Sequence, residues 1–435
     1  MISASILFRD RRPKLLFADV SGRVYEHPTL WAAVWDGREI MPAARCDWAP
    51  LDSDGALLLL PGRLPVGWDS TVNRSETLDR IRMGRRIIRP MAVAAVPAMG
   101  WTRIHLPAYC RAPRAPVLPL YAYTAAAGLD GQIAVAAVRT DRHRHWDGRL
   151  FNGPDLVRRI RDLRAARPGN QVLAQLARCS LEYRCRTAQN IFFQRWEGGL
   201  PVSPACNARC VGCLSNQPAG SLVCAAHHRL TRAPDLEDLV AVMADHVIRA
   251  TRPVVSFGQG CEGEPTLQAD LIEQAIRRVR RLTRRGRFHL NTNGSRPDAI
   301  ARLARVGLQS IRIALNSARA EVYHAYFRPR DYNFDTVRES IRLSVRLGLR
   351  TALNLLVFPG VSDQVDEAEA FIELLKETKP HAVQWRSLGM DPDRYLACLP
   401  PVARIGPCLG LRAFLRLVRT RCPWLQTGNF NPLPS

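Results

Sequence analysis

The chain has 435 residues, a hydrophobic fraction of 47% and a net charge of +23. That length exceeds what one ordinary core holds, so two domains or one enlarged α/β domain are expected. No run approaches the ~18 consecutive apolar residues that span a bilayer, and the opening MISASILFRDRRPK lacks a leader's apolar centre. A membrane-spanning class is therefore excluded, and a cytoplasmic protein without a membrane partner is expected.

In chain order, Leu15–Gly22, Trp31–Trp35, Ala56–Leu60, Val117–Tyr123 and Gln132–Val138 read as strands, divided by Asp-Gly turns at 36–37, 54–55, 130–131 and 147–148. Pro154–Arg167 and Val172–Leu181 read as helices, giving an N-terminal α+β region joined onward through Asn190–Pro204. After a strand-like stretch before Cys206, the pattern settles into helices alternating with short apolar strands. Asp235 caps a helix to about Ala250, Pro253–Phe257 is a strand, Leu267–Thr283 a helix and Arg287–Asn291 a strand. Pro297–Val306 is helical, Ser310–Asn316 a strand and Phe334–Leu347 helical. Thr351–Val357, Asp363–Lys376 and Ala382–Arg386 continue as strand, helix and strand. Repeated βα units imply a parallel sheet with helices outside, of about six repeats, closed or open.

Twelve cysteines in a reducing compartment point to metal binding, catalysis or burial, not to a disulfide framework. Cys206, Cys210 and Cys213 form a CxxxCxxC run on a loop after a strand. Three thiolates so spaced wrap one face of an iron–sulfur cube and leave its fourth iron open. Arg209 is expected to favour ionised sulfur. Cys210, Cys213, Cys224 and His227 are also spaced as a zinc ribbon, which would make a nucleic-acid-binding protein, and incidental buried thiols are a third reading. The positive charge is nearly all arginine, with only Lys14, Lys376 and Lys379 as lysines. Spread along the chain, it suits an acidic partner such as RNA or simply solvated helix faces such as Arg277–Arg285.

With these cysteines and the segments that follow them, about Trp196–Asp391, the chain resembles the radical S-adenosylmethionine superfamily. Val255–Pro265 resembles its Gly-Gly-Glu-Pro motif, here in the form GxGCEGEP. The resemblance implies an α/β fold, a partial (β/α)6 barrel preceded by the N-terminal α+β region. It divides the chain into residues 1–190, the core at 191–392 and a C-terminal extension at 393–435. It implies an enzyme whose cofactors are a [4Fe-4S] cluster on Cys206, Cys210 and Cys213 and S-adenosyl-L-methionine. Reductive cleavage then gives a 5′-deoxyadenosyl radical that abstracts hydrogen from a substrate. By the same resemblance Gly263, Glu264 and Pro265 border the methionine group. Asn316 and Ser317 meet the ribose, the fifth strand borders adenine with Asn354 as its polar candidate, and Arg386 ends the sixth strand facing an anion such as a carboxylate. Asn291 and Asn293 bond ribose or substrate, or are ordinary turn asparagines.

Two features depart from the family pattern. Gly212 stands where an aromatic residue commonly precedes the third cysteine, so another group must cover that side of the adenine. Cys261 and Glu262 lie inside the glycine motif, where Cys261 is a radical relay, a substrate-facing group or a buried residue. Cys398, Cys408 and Cys422 contain no CxxC pair, so one cluster is expected. The implied partners are a low-potential electron donor, flavodoxin or ferredoxin, and a substrate that is a small molecule, peptide or RNA.

Overall fold

The computed structural model describes residues 12–428 except Ala219 and Leu222. The reading of the chain's opening falls on residues 1–11, and the last part of the C-terminal extension on residues 429–435, outside the described residues.

Arg195–Gly199, Thr251–Phe257, Arg287–Thr292, Leu308–Leu315, Arg350–Val357 and Ala382–Ser387 lie side by side in chain order as parallel strands. Helices return the chain between them. Their amphipathic pattern explains their placement. In Ala269–Leu282, the residues Ile272, Ala275, Ile276 and Val279 recur at helical spacing and are buried. Its outer arginines are largely engaged at the surface: Arg277 pairs with Glu273 at 2.8 Å, and Arg280 donates to the Arg285 and Gly286 carbonyls. Pro297 opens the helix Pro297–Arg305, where a missing N–H costs nothing.

A seventh parallel strand, Gln426–Gly428, joins the sheet beside Ala382–Ser387. It is short and mostly exposed, so it carries no apolar pattern by which the sequence announces it. It belongs to the C-terminal extension, whose helix Leu411–Arg421 buries Phe414 against Phe371 and Trp385. The extension thus completes the barrel's outer layer.

The N-terminal region is an antiparallel sheet. The Asp130-Gly131 pair makes its two-residue hairpin between Thr124–Leu129 and Gln132–Arg139, with φ of 53° and 77°. Both angles are positive, as a type I′ turn requires. Val117–Tyr123 is not a strand, contrary to its alternating pattern. Leu118 and Tyr123 are buried, and Leu118 N–H donates to Asp391 at 2.7 Å, so the alternation records docking against the barrel and not a sheet ladder. Helices Leu156–Ala165, Gln171–Leu181 and Arg186–Phe193 lead into the first barrel strand. Arg195–Gly199 therefore lies inside the stretch that sequence read as a connection.

The two regions share one continuous apolar core. Two buried arginines cross their boundary. Arg63 donates to Asp391 at 2.7 Å and to the Pro116 carbonyl at 2.9 Å. Arg103 donates to the Tyr123 and Leu388 carbonyls, and Ser387 Oγ accepts from Arg103 N–H at 2.9 Å. The antiparallel sheet thereby sits beside the sixth strand and walls that flank of the barrel mouth.

Candidate active site

The cysteine loop follows the first strand and is fastened on two sides. On one, Gly263 N–H donates to Ser203 O at 2.7 Å and Glu264 N–H to Ala205 O at 2.8 Å. On the other, Arg209 and Val211 donate to the Phe327 and Tyr326 carbonyls, and Arg330 N–H donates to Asn207 O. A Cβ on Gly263 would stand 1.8 Å from Ala205 O, so only glycine permits this approach.

The three thiols are mutual electrostatic neighbours. Burial, and then the other two sulfurs, push Cys210 well above the ordinary thiol range. Burial pushes Cys206 up to about 11, with Glu264 adding to the effect. Arg229, not Arg209, supplies the compensating charge. Its Nη2 lies 3.3 Å from Cys213 Sγ and its Nε donates to Ser215 Oγ at 3.2 Å, whereas Arg209 is exposed. Nothing in the local sequence marks Arg229, sixteen residues beyond Cys213.

The turn after the second strand is built around two buried carboxylates. Glu262 accepts four backbone amides: Val202 and Ser203 at 2.7 and 2.9 Å, and Gly258 and Gln259 at 2.7 Å each. Burial lifts its pKa to about 7 against those amides, which favour the ion. Glu264 accepts from Thr266 N–H and Oγ1, from Thr292 Oγ1 at 2.6 Å, and from Asn293 N–H at 2.8 Å. Glu264 thus binds the second strand's turn to the third. Gly258, at φ 83°, passes so close to Asn291 that a Cβ would lie 1.9 Å from its carbonyl oxygen.

Beside the cysteine loop lies a cavity of about 480 Å³ bordered by Gly263, Glu264, Pro265, Asn291, Asn293, Asn354 and Arg386. Asn291 donates to Phe257 O at 2.8 Å and accepts from His289. Asn293 donates to Asn207 Oδ1 at 2.9 Å, on the cysteine loop. Asn354 Oδ1 is buried with no hydrogen-bond partner among the described residues. Asn316 and Ser317 are placed elsewhere. Asn316 donates to Val322 O at 3.2 Å, and Ser317 Oγ donates to the buried carboxylate of Glu367, which also receives Ala318 N–H and Arg319 Nε. Their side chains organise the turn after the fourth strand behind the cavity wall.

The aromatic absent at position 212 arrives from another element. A Cβ on Gly212 would lie 2.8 Å from Tyr326 Oη and 3.5 Å from Met390 Sδ. Tyr326, on helix Ala320–Phe327, is buried, lines the cavity and lies within electrostatic reach of Cys210 and Cys213. Gly212 makes room for it.

Cys261 is 7% exposed and turns toward Cys179 on helix Gln171–Leu181, with the two thiols hydrogen-bonded. It does not border the cavity. Cys224 is exposed, and His227 packs edge-on against Tyr183. Among the described residues no three His, Cys, Asp or Glu are arranged to hold a single metal ion, so the zinc-ribbon quartet is not assembled. A four-iron cube makes a wider demand, because each cysteine binds a different corner. The donor set fits such a group: three thiols, an arginine at one sulfur, a glycine-walled cavity alongside and an orphaned amide oxygen on the cavity wall.

Fold and site together define an α/β protein whose cysteine loop follows the first strand of a parallel partial barrel. Residues 200–375 match the sequence model of the Radical SAM superfamily. That segment carries the likeness to the superfamily, whose members use a [4Fe-4S] cluster and S-adenosylmethionine. It is 29% identical over 200 residues to a GTP 3′,8-cyclase of Heliobacterium modesticaldum, covering 45% of this chain and 57% of that protein. A GTP 3′,8-cyclase of Clostridium botulinum is 25% identical over 195 residues, covering 44% and 56%. The matched segment therefore spans little more than half of these relatives. Among solved structures, a radical SAM methyltransferase from Sphaerobacter thermophilus aligns with a TM-score of 0.35 at 17% identity, covering 52% of this chain and 64% of that one.

Proposed function

We propose that this protein is a radical S-adenosylmethionine enzyme with Cys206, Cys210 and Cys213 as cluster ligands and the adjoining cavity as the cofactor site. The observation that carries this reading is the double fastening of the cysteine loop, by Gly263 and Glu264 on one side and Tyr326–Arg330 on the other. It holds three interacting thiols on a loop whose Gly212 and Leu214 line the cavity of about 480 Å³. When bound, the cluster and S-adenosylmethionine supply a 5′-deoxyadenosyl radical, which takes hydrogen from a substrate.

The chain's own residues do the positioning. Gly258, Gly260 and Gly263 allow a ligand close to backbone groups, Asn354 offers an unspent acceptor, and Leu356 and Leu388 give apolar contact for a base. Tyr326 covers the flank that Gly212 leaves open. A low-potential donor such as flavodoxin or ferredoxin supplies the electron, in the cytoplasm.

Anaerobic reconstitution tests this reading. About four irons per chain are expected, with 5′-deoxyadenosine formed on reduction and lost in Cys206→Ala. Undiminished 5′-deoxyadenosine from that variant overturns the assignment.

A further inference from the structure

A second cavity, of about 430 Å³, adjoins the first and shares Gln259, Asn291, Arg312 and Arg386 with it. Its far side is closed by Tyr183–Thr187, with Met99 and Trp146 from the N-terminal region. This volume falls within the ~300–1,000 Å³ of small-molecule sites. It is too confined for a folded RNA or a protein surface.

The lining is strongly cationic. Arg312 projects from the fourth strand and Arg386 from the sixth, both enclosed by the barrel yet wetted by the cavities. Burial pushes Arg386 down to about 9, and the neighbouring Arg312 charge pushes it further in the same direction. At neutral pH both guanidiniums remain cations. Arg184 and Arg186 add two more charges at the rim, while Glu197 is the one carboxylate on the described lining. Arg186 is committed to Asp54, at 3.3 Å. Arg184 has no hydrogen-bond or ion-pair partner among the described residues.

Arg312 donates to Gln384 Oε1 at 3.0 Å, and Glu197 and Asp141 act electrostatically on Arg386, so the guanidiniums are held in place on a lining of four arginines and one carboxylate, a net positive wall that suits an anion. We propose that this second cavity binds the substrate, a small molecule bearing a phosphate or carboxylate group, with Arg312 and Arg386 on the wall and Arg184 at the rim receiving the anion. The proposal rests on the radical reading only in calling the ligand a substrate. Sharing of Gln259, Asn291 and both arginines between the cavities places the bound molecule next to the cofactor site, where a radical must act.

The test is isothermal titration of the unreduced, reconstituted protein saturated with S-adenosylmethionine, using pyrophosphate in one arm and succinate in the other. One probe is expected to bind saturably, one per chain, and the arm that binds identifies the anion as phosphate or carboxylate. Arg386→Gln and Arg184→Gln should each weaken binding at least tenfold, and Arg277→Gln, on the outer helix face, should not. Arg184 lies on an exposed rim, so its variant remains informative if Arg386→Gln fails to fold. Three results overturn the proposal: no saturable binding by either probe, equal binding in the Arg184 and Arg277 variants, or binding seen only without S-adenosylmethionine. The last would assign the arginines to the cofactor's own carboxylate. Absence of 5′-deoxyadenosine on reduction is a separate readout; with saturable, Arg184-dependent probe binding retained, it removes the radical reading and leaves the anion site standing.

Discussion

Arg229 Nη2 donates to Cys213 Sγ at 3.3 Å while its Nε holds Ser215 Oγ, so one guanidinium organises the end of the cysteine loop. A hydrogen bond to a charged group contributes about 1.5–3 kcal/mol. Arg229→Gln should therefore release iron to a chelator roughly tenfold faster than the parent protein, measured by absorbance of the chelated metal.

Gly263→Ala inserts a methyl group where Ala205 O already stands 1.8 Å from the ideal Cβ position. The cysteine loop must move away from the second strand's turn. Overpacking of this kind costs about 1–3 kcal/mol. A folded protein with a lowered melting temperature is expected, with 5′-deoxyadenosine formation reduced far more than stability.

Glu262 and Glu264 are neighbours in sequence with different tolerance. Every contact on Glu262 is a backbone N–H, so Glu262→Gln turns an amide donor against donors that cannot rotate. Two contacts on Glu264 are threonine hydroxyls, which can reverse and accept. Urea denaturation should show a loss of about 3 kcal/mol for the first and about 1 kcal/mol for the second.

Arg63 and Asp391 join the N-terminal sheet to the barrel, with side chains 0% and 2% exposed. Arg63→Met leaves a buried carboxylate facing Leu118 N–H without its cation. A loss of about 3–5 kcal/mol is expected. Adding Asp391→Asn to that variant should recover part of it, as a double-mutant cycle by denaturation will read.

His289 is buried between Ser310 Oγ and Asn291 Oδ1, and desolvation lowers its pKa to about 4. Between pH 6.5 and 4 the unfolded chain takes a proton that the folded chain refuses. Stability from this group is complete above pH 6.5 and is lost as pH falls through that window. From pH 7.5 to 5, the parent protein should lose about 2 kcal/mol more than His289→Gln, by denaturant titration at each pH.

The sequence by itself determined the parallel βα order from Asp235 to Arg386, because helix and strand periods are local properties of apolar spacing. It also marked Cys206, Cys210 and Cys213 as a CxxxCxxC run, a spacing that by itself left a zinc ribbon and incidental thiols open. Tertiary structure decided what spacing cannot encode. It brought Arg229 to Cys213 and Tyr326 to the gap at Gly212, turned Ser317 toward Glu367, and buried Cys261 against Cys179. It also gave the apolar alternation of Val117–Tyr123 to an interface instead of a ladder. Burial looks alike in sequence whether a sheet face or a neighbouring region supplies it, and only folding brings the partner into contact.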